Sequence, residues 1–362
     1  LAELLTQIVR TAREKNASDV HLKVGAKPRI RAKKELITLD SFPVLSRTDL
    51  EDFVNYILKG KEEKKQKLLK EGQVDTSASF PGIARFRANI YYQRSTLGIA
   101  LRYIPFEIPK FESLNLPPVV RKMALSHTSG LILVTGPTGS GKSTTLAALI
   151  NEINELYSRV IVTIEDPIEY LFKDKKSFII QREVGEDTND FAGAMKAALR
   201  EDPDVIMIGE IRDTETAKIA LQAAETGHLV FSTLHTINTK ETVNRFIGMF
   251  PLENREQIRL MLANSLIGII SQRLVPRRDR KGVVPVLEIL VNNPLIREAI
   301  LDPQKFQNIG EYLEKGHEVY GTQTFDQHLL ELYRKGLIDA KTVLEYAENP
   351  TDIELKMRGL TE

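Results

Sequence analysis

The chain has 362 residues, and at roughly 100–200 residues per domain that length points to two or three domains. Hydrophobic residues make up 42% and charged residues 27%, ordinary globular values that exclude disorder and collagen-like order. Fifty basic against forty-nine acidic side chains leave a net +1, which argues against a strongly basic nucleic-acid binder, and the absence of cysteine removes disulfides, thiol catalysis and thiolate zinc sites.

Leu1 stands where an initiator methionine is expected. Residues 1–15 carry apolar side chains at 1, 4, 5, 8, 9 and 12, the stripe of an amphipathic helix rather than of a secretory leader. Residues 19–24 and 28–32 read as short strands joined through Gly25, and 50–71 as one helix. The alternating Lys and Glu of 59–71 read as a solvated face. Two more strands, 84–93 and 98–104, complete a small mixed domain over 1–104. Residues 105–118 contain four prolines and read as a linker.

From Val119 the character changes. Continuous apolar runs at 131–135, 160–164, 205–208 and 229–234 are those of strands buried on both faces of a parallel sheet. Helical patterns at 144–156, 191–199 and 217–224 alternate with them, which specifies a doubly wound α/β core over 119–290. Residues 291–362 read as a polar, helical C-terminal region. The most apolar stretch, 260–270, is broken by Asn264 and Ser265 and falls short of the ~20 residues that span a bilayer. A soluble, cytoplasmic chain from a reducing compartment is expected.

Gly136-Pro137-Thr138-Gly139-Ser140-Gly141-Lys142-Ser143 fits the P-loop pattern in full. An apolar strand precedes it, and an amphipathic helix opening through Thr144 follows. Glycines let backbone N–H groups turn toward phosphate oxygens, and the helix N-terminus adds positive potential. Lys142 supplies a cation for the β- and γ-phosphates, and Ser143 offers a hydroxyl to Mg²⁺. The competing reading, a glycine turn without a ligand, fails on both flanks. ATP and Mg²⁺ are the expected ligands.

Ligands of open α/β sheets collect at the carboxyl ends of strands. The residues there are Glu165-Asp166-Pro167-Ile168-Glu169, Gly209-Glu210 and His235. Glu210 suits the role of organising Mg²⁺ and its water, and Glu165 or Glu169 that of polarising the attacking water. Acids near helix starts also serve as plain caps, so both readings of Glu165 and Glu169 stand. His235 sits at the ligand end of its strand and His228 at the far end, roughly 20 Å away at ~3.3 Å per residue, so they do not share one metal or one phosphate. For His228 a structural or subunit-contact role competes evenly with a catalytic one. In the first domain Arg85 and Arg87 share one face of a strand, with Arg102 on a neighbour. They read either as a solvated sheet face or as arginine fingers reaching a nucleotide in an adjoining subunit.

The stretch Leu199-Arg200-Glu201-Asp202-Pro203-Asp204-Val205-Ile206-Met207-Ile208-Gly209-Glu210-Ile211-Arg212-Asp213 resembles the signature of the secretion-type traffic ATPases. Thr163-Ile164-Glu165-Asp166-Pro167-Ile168-Glu169 is similar to their aspartate box. Thr226-Gly227-His228 through Ser232-Thr233-Leu234-His235-Thr236 is similar to their histidine box. The likeness reaches back to Ala17-Ser18-Asp19-Val20-His21 and is strongest to the pilus-retraction type that powers twitching motility. It implies a PAS-like N-terminal α/β domain, a RecA-like P-loop ATPase domain with C-terminal helices, and a hexameric ring whose ATP sites are completed by a neighbouring subunit. It also implies a pilus platform protein of the inner membrane as partner, peripheral association there without membrane insertion, and a phosphate-contacting role for Arg85, Arg87 and Arg102.

Pilus-assembly and type II secretion ATPases are the near alternative, but they usually carry a four-cysteine zinc insert, which a chain without cysteine cannot form. A nucleic-acid translocase is the distant one, disfavoured by charge and sparse aromatics. A scaffold that binds ATP without turnover is disfavoured by Glu210 and the acids of the aspartate box. Pro294-Leu295-Ile296-Arg297-Glu298-Ala299-Ile300 only partly matches the C-terminal segment of the retraction type, and its apolar stripe reads as packing or as a coupling element.

Overall fold

The computed structural model describes residues 2–32 and 35–359; Leu1, counted in the first apolar stripe, lies outside them. Two compact units form, one of residues 1–107 with 167–171, the other of residues 108–166 with 172–362.

The first unit is a six-stranded antiparallel sheet. Its strands are β1 (Asp19–Lys23), β2 (Arg29–Ala32), β3 (Glu35–Thr38), β4 (Gln73–Phe80), β5 (Ala84–Gln93) and β6 (Thr96–Ile104), in the order β3-β2-β1-β6-β5-β4. One face alternates inward along β5 through Phe86, Ala88 and Ile90, all buried, while Arg85, Arg87 and Asn89 take the other face. The Ala2–Glu14 helix buries Leu5, Ile8, Val9 and Ala12 in the same core.

Residues 50–71 are not one helix. They divide into Arg47–Ile57 and Glu62–Glu71, separated at Gly60, which adopts a φ of +77° that only glycine takes without strain. The charge run is not wholly solvated either. Lys61 donates to Thr76 Oγ1 and the Ser77 carbonyl, each at 2.8 Å, and Lys64 to the Asp75 carbonyl at 3.0 Å, so its start is docked on β4. Residues 105–118 include a short 3-10 turn, Phe111–Leu114, and Phe111 and Leu116 are buried in the core of the second unit.

The second unit is built on seven strands: β7 (Gly130–Thr135), β8 (Val160–Glu165), β9 (Phe178–Glu183), β10 (Val205–Ile208), β11 (Leu229–Leu234), β12 (Leu266–Pro276) and β13 (Val283–Val291). Their order is β13-β12-β7-β11-β10-β8-β9, parallel throughout except for β13 against β12. Every residue of β7, β10 and β11 is buried, as continuous apolar runs require when helices cover both faces. The chain leaves β7 through the Lys142–Leu156 helix and passes over β11 and β10 to reach β8. That crossover places the ends of β7, β11, β10 and β8 side by side on one edge.

At the far end of β12 and β13, the Phe325–Arg334 helix packs Phe325 and Leu329 against Val275, Val284 and Val286. Glu288 of β13 is buried and accepts from Thr239 through its backbone N–H at 2.8 Å and its hydroxyl at 2.7 Å. In the Pro294–Leu301 helix, Ile296, Ala299 and Ile300 join the sheet's core, so most of that stripe is packing. Leu295 stays exposed, and Arg297 bonds Asn264 Oδ1 at 2.6 Å.

Candidate nucleotide site

Residues 136–141 turn between β7 and the Lys142–Leu156 helix. Gly136 has a φ of +146°, and a Cβ there would meet the Gln272 carbonyl oxygen at 2.3 Å and Ser140 Oγ at 2.6 Å. Only glycine fits. Gly141, at φ +87°, is the N-cap of the helix, and no side chain caps it. Asp190, Asp213 and Asn238 do cap the next three long helices of the sheet. The helix start behind the loop carries no side-chain cap, and its dipole favours an anion there. Lys142 is buried and donates to the carbonyls of Gly136 and Pro137, both at 2.9 Å, which holds its ammonium over the loop. Ser143 and Thr144 stand half-buried in the first helical turn.

Behind the loop lies a chain of buried hydroxyls. Thr135 Oγ1 meets Ser271 Oγ at 2.7 Å and accepts from Thr242 at 3.3 Å, and Thr242 meets Thr236 at 2.6 Å. This ties the end of β7 to β12 and to the loop that carries His235. The Gly136 N–H donates to the Leu234 carbonyl at 3.3 Å, a second tie between the two strand ends.

Glu210 follows β10 with its carboxylate largely covered. Arg212 donates to its Oε1, and His235 Nε2 stands 3.5 Å from Oε2. Arg212 also lies 3.7 Å from Asp166. The bond to Glu210 raises the guanidinium's pKa, with burial opposing and the nearby charges of Glu210 and Asp166 adding to the rise. Glu165, the last residue of β8, is buried and accepts from Thr163 Oγ1 at 2.8 Å and Gln181 Nε2 at 3.2 Å. One edge of the sheet thus brings together the P-loop, Glu165, Glu210 and His235.

The remaining sequence candidates belong to other segments of the chain. Glu169 is exposed and falls in 167–171, the segment that belongs to the first unit. His228 precedes β11 at the opposite edge, its Nδ1 3.0 Å from the Ala223 carbonyl. In the first unit Arg87 and Arg102 sit directly opposite each other in the β5–β6 register. Like charges so placed repel. Arg102 offsets this with a 2.9 Å bond to Asp19. Burial pushes the Asp19 carboxyl up, but bonds from Arg102 and Ser18 outweigh it and leave its pKa below the ordinary value. Arg212 lies in the signature stretch but carries no sequence mark of its role there, and no spacing marks Gln181 or Gln272.

A metal would find oxygen donors here, the Ser143 hydroxyl and the Glu210 carboxylate. No group of three or more metal-ligating side chains exists among the described residues. Mg²⁺ suits that sparse hard-oxygen set, since it keeps several waters and takes its remaining ligands from phosphates.

The profile of the family described as "Type II/IV secretion system protein" matches residues 106–334. The chain belongs to that family. It is 39% identical over 346 residues to the "Type IV pilus retractation ATPase PilT" of Pseudomonas aeruginosa, covering 96% of this chain and 98% of that one. It is 47% identical over 277 residues to a "Twitching motility protein" of Neisseria gonorrhoeae, with 76% and 73% of the two chains covered. Among solved structures, the pilus retraction motor PilT with bound ADP superposes at a TM-score of 0.86 and 46% identity, over 97% and 98% of the two chains. The expected fold class, a mixed N-terminal α/β domain followed by a P-loop ATPase domain, agrees with that likeness.

Proposed function

We propose that this family member is a motor ATPase that retracts type IV pili and so drives twitching motility. The observation that carries it is end-to-end similarity to a pilus retraction motor, with a complete P-loop set beside Glu210 and His235 on one sheet edge.

The chain's own residues divide the work. The backbone of 136–141 and the helix N-terminus would cradle the phosphates of ATP, and Lys142 would shift its ammonium from the loop carbonyls onto the β- and γ-oxygens. Ser143 and Glu210 would hold Mg²⁺, which would supply positive charge to neutralise the phosphate oxygens. Thr144 adds its hydroxyl at the first helical turn. Arg212 and His235 fix the Glu210 carboxylate from two sides. Glu165, kept in place by Thr163 and Gln181, orients the attacking water, and Glu169 is the second acid proposed for that role. His228 is read as a structural or subunit-contact residue.

The working assembly is a homo-oligomer, read as a hexameric ring, whose neighbouring copy supplies Arg85, Arg87 and Arg102 to the phosphates. Functional division falls at 1–104, a linker at 105–118, the ATPase core at 119–290 and a helical region at 291–362. No helix among the described residues is long and apolar enough to cross a membrane. The ring works from the cytoplasm against a platform protein in the inner membrane, with no nucleic-acid partner. Phosphate release from ATP by the purified chain, with and without Mg²⁺, tests the enzymatic half. Turnover only with Mg²⁺ is expected, and no turnover with either sinks the reading.

A further inference from the structure

Gln272 on β12 joins the phosphate loop to the helix that follows it. Its Nε2 donates to the Ser140 carbonyl at 2.6 Å, and its Oε1 accepts from Thr145 Oγ1 at 2.8 Å. A carbonyl oxygen only accepts, so the Ser140 bond decides which end of the amide faces the loop. Ser140, Thr145 and Gln272 are all buried. The strand lies tight against the loop, since a Cβ on Gly136 would meet the Gln272 carbonyl oxygen and a Cβ on Gly141 would meet Gln272 Nε2 at 2.7 Å.

The peptide joining Ser140 to Gly141 is planar and trans, so its C=O and N–H point in opposite directions. A donor that holds the Ser140 carbonyl from the protein side therefore aims the Gly141 N–H the other way, out of the protein interior. Rotating that peptide away would strand a buried carbonyl without a partner. The Thr145 hydroxyl stops the Gln272 amide from turning, and Thr145 belongs to the helix that receives the phosphates. We propose that Gln272 is a positioning residue that keeps the phosphate loop in its binding-ready shape before nucleotide arrives. This rests on reading 136–143 as the nucleotide site. The bond is made in the ground state and kept through the reaction, so its loss weakens binding rather than chemistry.

ADP titration by calorimetry, steady-state ATPase and thermal melting of the full chain test this. Gln272→Met keeps the length and loses both bonds; its ADP dissociation constant and KM for ATP are expected to rise about 10-fold, with kcat within about 3-fold. Thr145→Ser, which retains the hydroxyl, should bind ADP within about 2-fold of the unaltered chain, whereas Thr145→Val should lose several-fold. That pair decides the matter if Gln272→Met does not fold. A lower melting temperature with unchanged ADP affinity, or a loss confined to kcat, overturns the positioning role. An unaltered chain that binds no ADP overturns the nucleotide-site reading and this proposal with it.

Discussion

The carboxylate of Glu210 stands 3.5 Å from Nε2 of His235, each carried at the end of one of two neighbouring parallel strands. Arg212 holds the other carboxylate oxygen. In the proposed role this acid organises a metal and its water, and a preorganised charge of that kind is where electrostatic catalysis gains most. Replacing Glu210 by Gln keeps the shape and removes the charge. Turnover is expected to fall about 100-fold or more, with nucleotide affinity kept within a few-fold. Equal loss of both would mark a folding defect instead.

Lys142 holds its ammonium on the carbonyls of Gly136 and Pro137. Lys142→Ala removes a charge aimed at phosphates in a preformed nest, so ADP affinity and turnover should both collapse, on the order of 100-fold in turnover. Equilibrium ADP binding and phosphate release check it. Turnover near that of the unaltered chain would mean the site is misassigned.

These elements were the most legible ones. The P-loop is local in sequence, and β7, β8, β10 and β11 are continuous apolar runs, so the sequence pattern alone puts Glu165, Glu210 and His235 at strand ends. β4 carries a faint signal because Gln73, Asp75, Ser77 and Ser79 alternate with its buried Val74, Thr76, Ala78 and Phe80, and small or polar residues dominate the run. The 50–71 segment reads as one helix because charge alternation hides the break at Gly60. Gln272 carries no local signal. Its role comes from β12 lying beside β7, a pairing set by topology rather than by any spacing along the chain.

The arginines of the first unit are proposed to act on a neighbouring copy's nucleotide. Changing Arg85, Arg87 and Arg102 together to Ala should cut ATPase at least 10-fold while leaving the P-loop of the same chain intact. Mixing that inactive chain with inactive Lys142→Ala chains should then restore part of the activity, because some hybrid interfaces pair an intact P-loop with intact arginines. Mixtures that stay as inactive as either component would show that the arginines do not act between copies.

Glu288 gives a pH dependence with a definite sign. Burial raises its pKa above the ordinary 4.5, and the two bonds from Thr239 only partly offset this. A raised folded-state pKa means the fold holds the proton more tightly than the unfolded chain does. Its contribution is complete below about 4.5 and is lost as pH rises through the folded value. Glu288→Gln mimics the protonated form and still accepts from Thr239. Its melting temperature should exceed that of the unaltered chain at pH 8, by roughly 2–4 °C per kcal/mol relieved, and the gap should close toward pH 4. A gap independent of pH would show that Glu288 does not carry the effect.

Pilus counts on cells lacking this chain bear most directly on retraction. Deleting its gene in the organism that encodes it, then counting surface pili and scoring twitching, separates the possible motors. Cells crowded with pili yet unable to twitch are the expected result, restored by the unaltered chain and not by Glu210→Gln. Bald cells would identify an assembly motor, and normal pili with normal twitching would contradict a role in retraction.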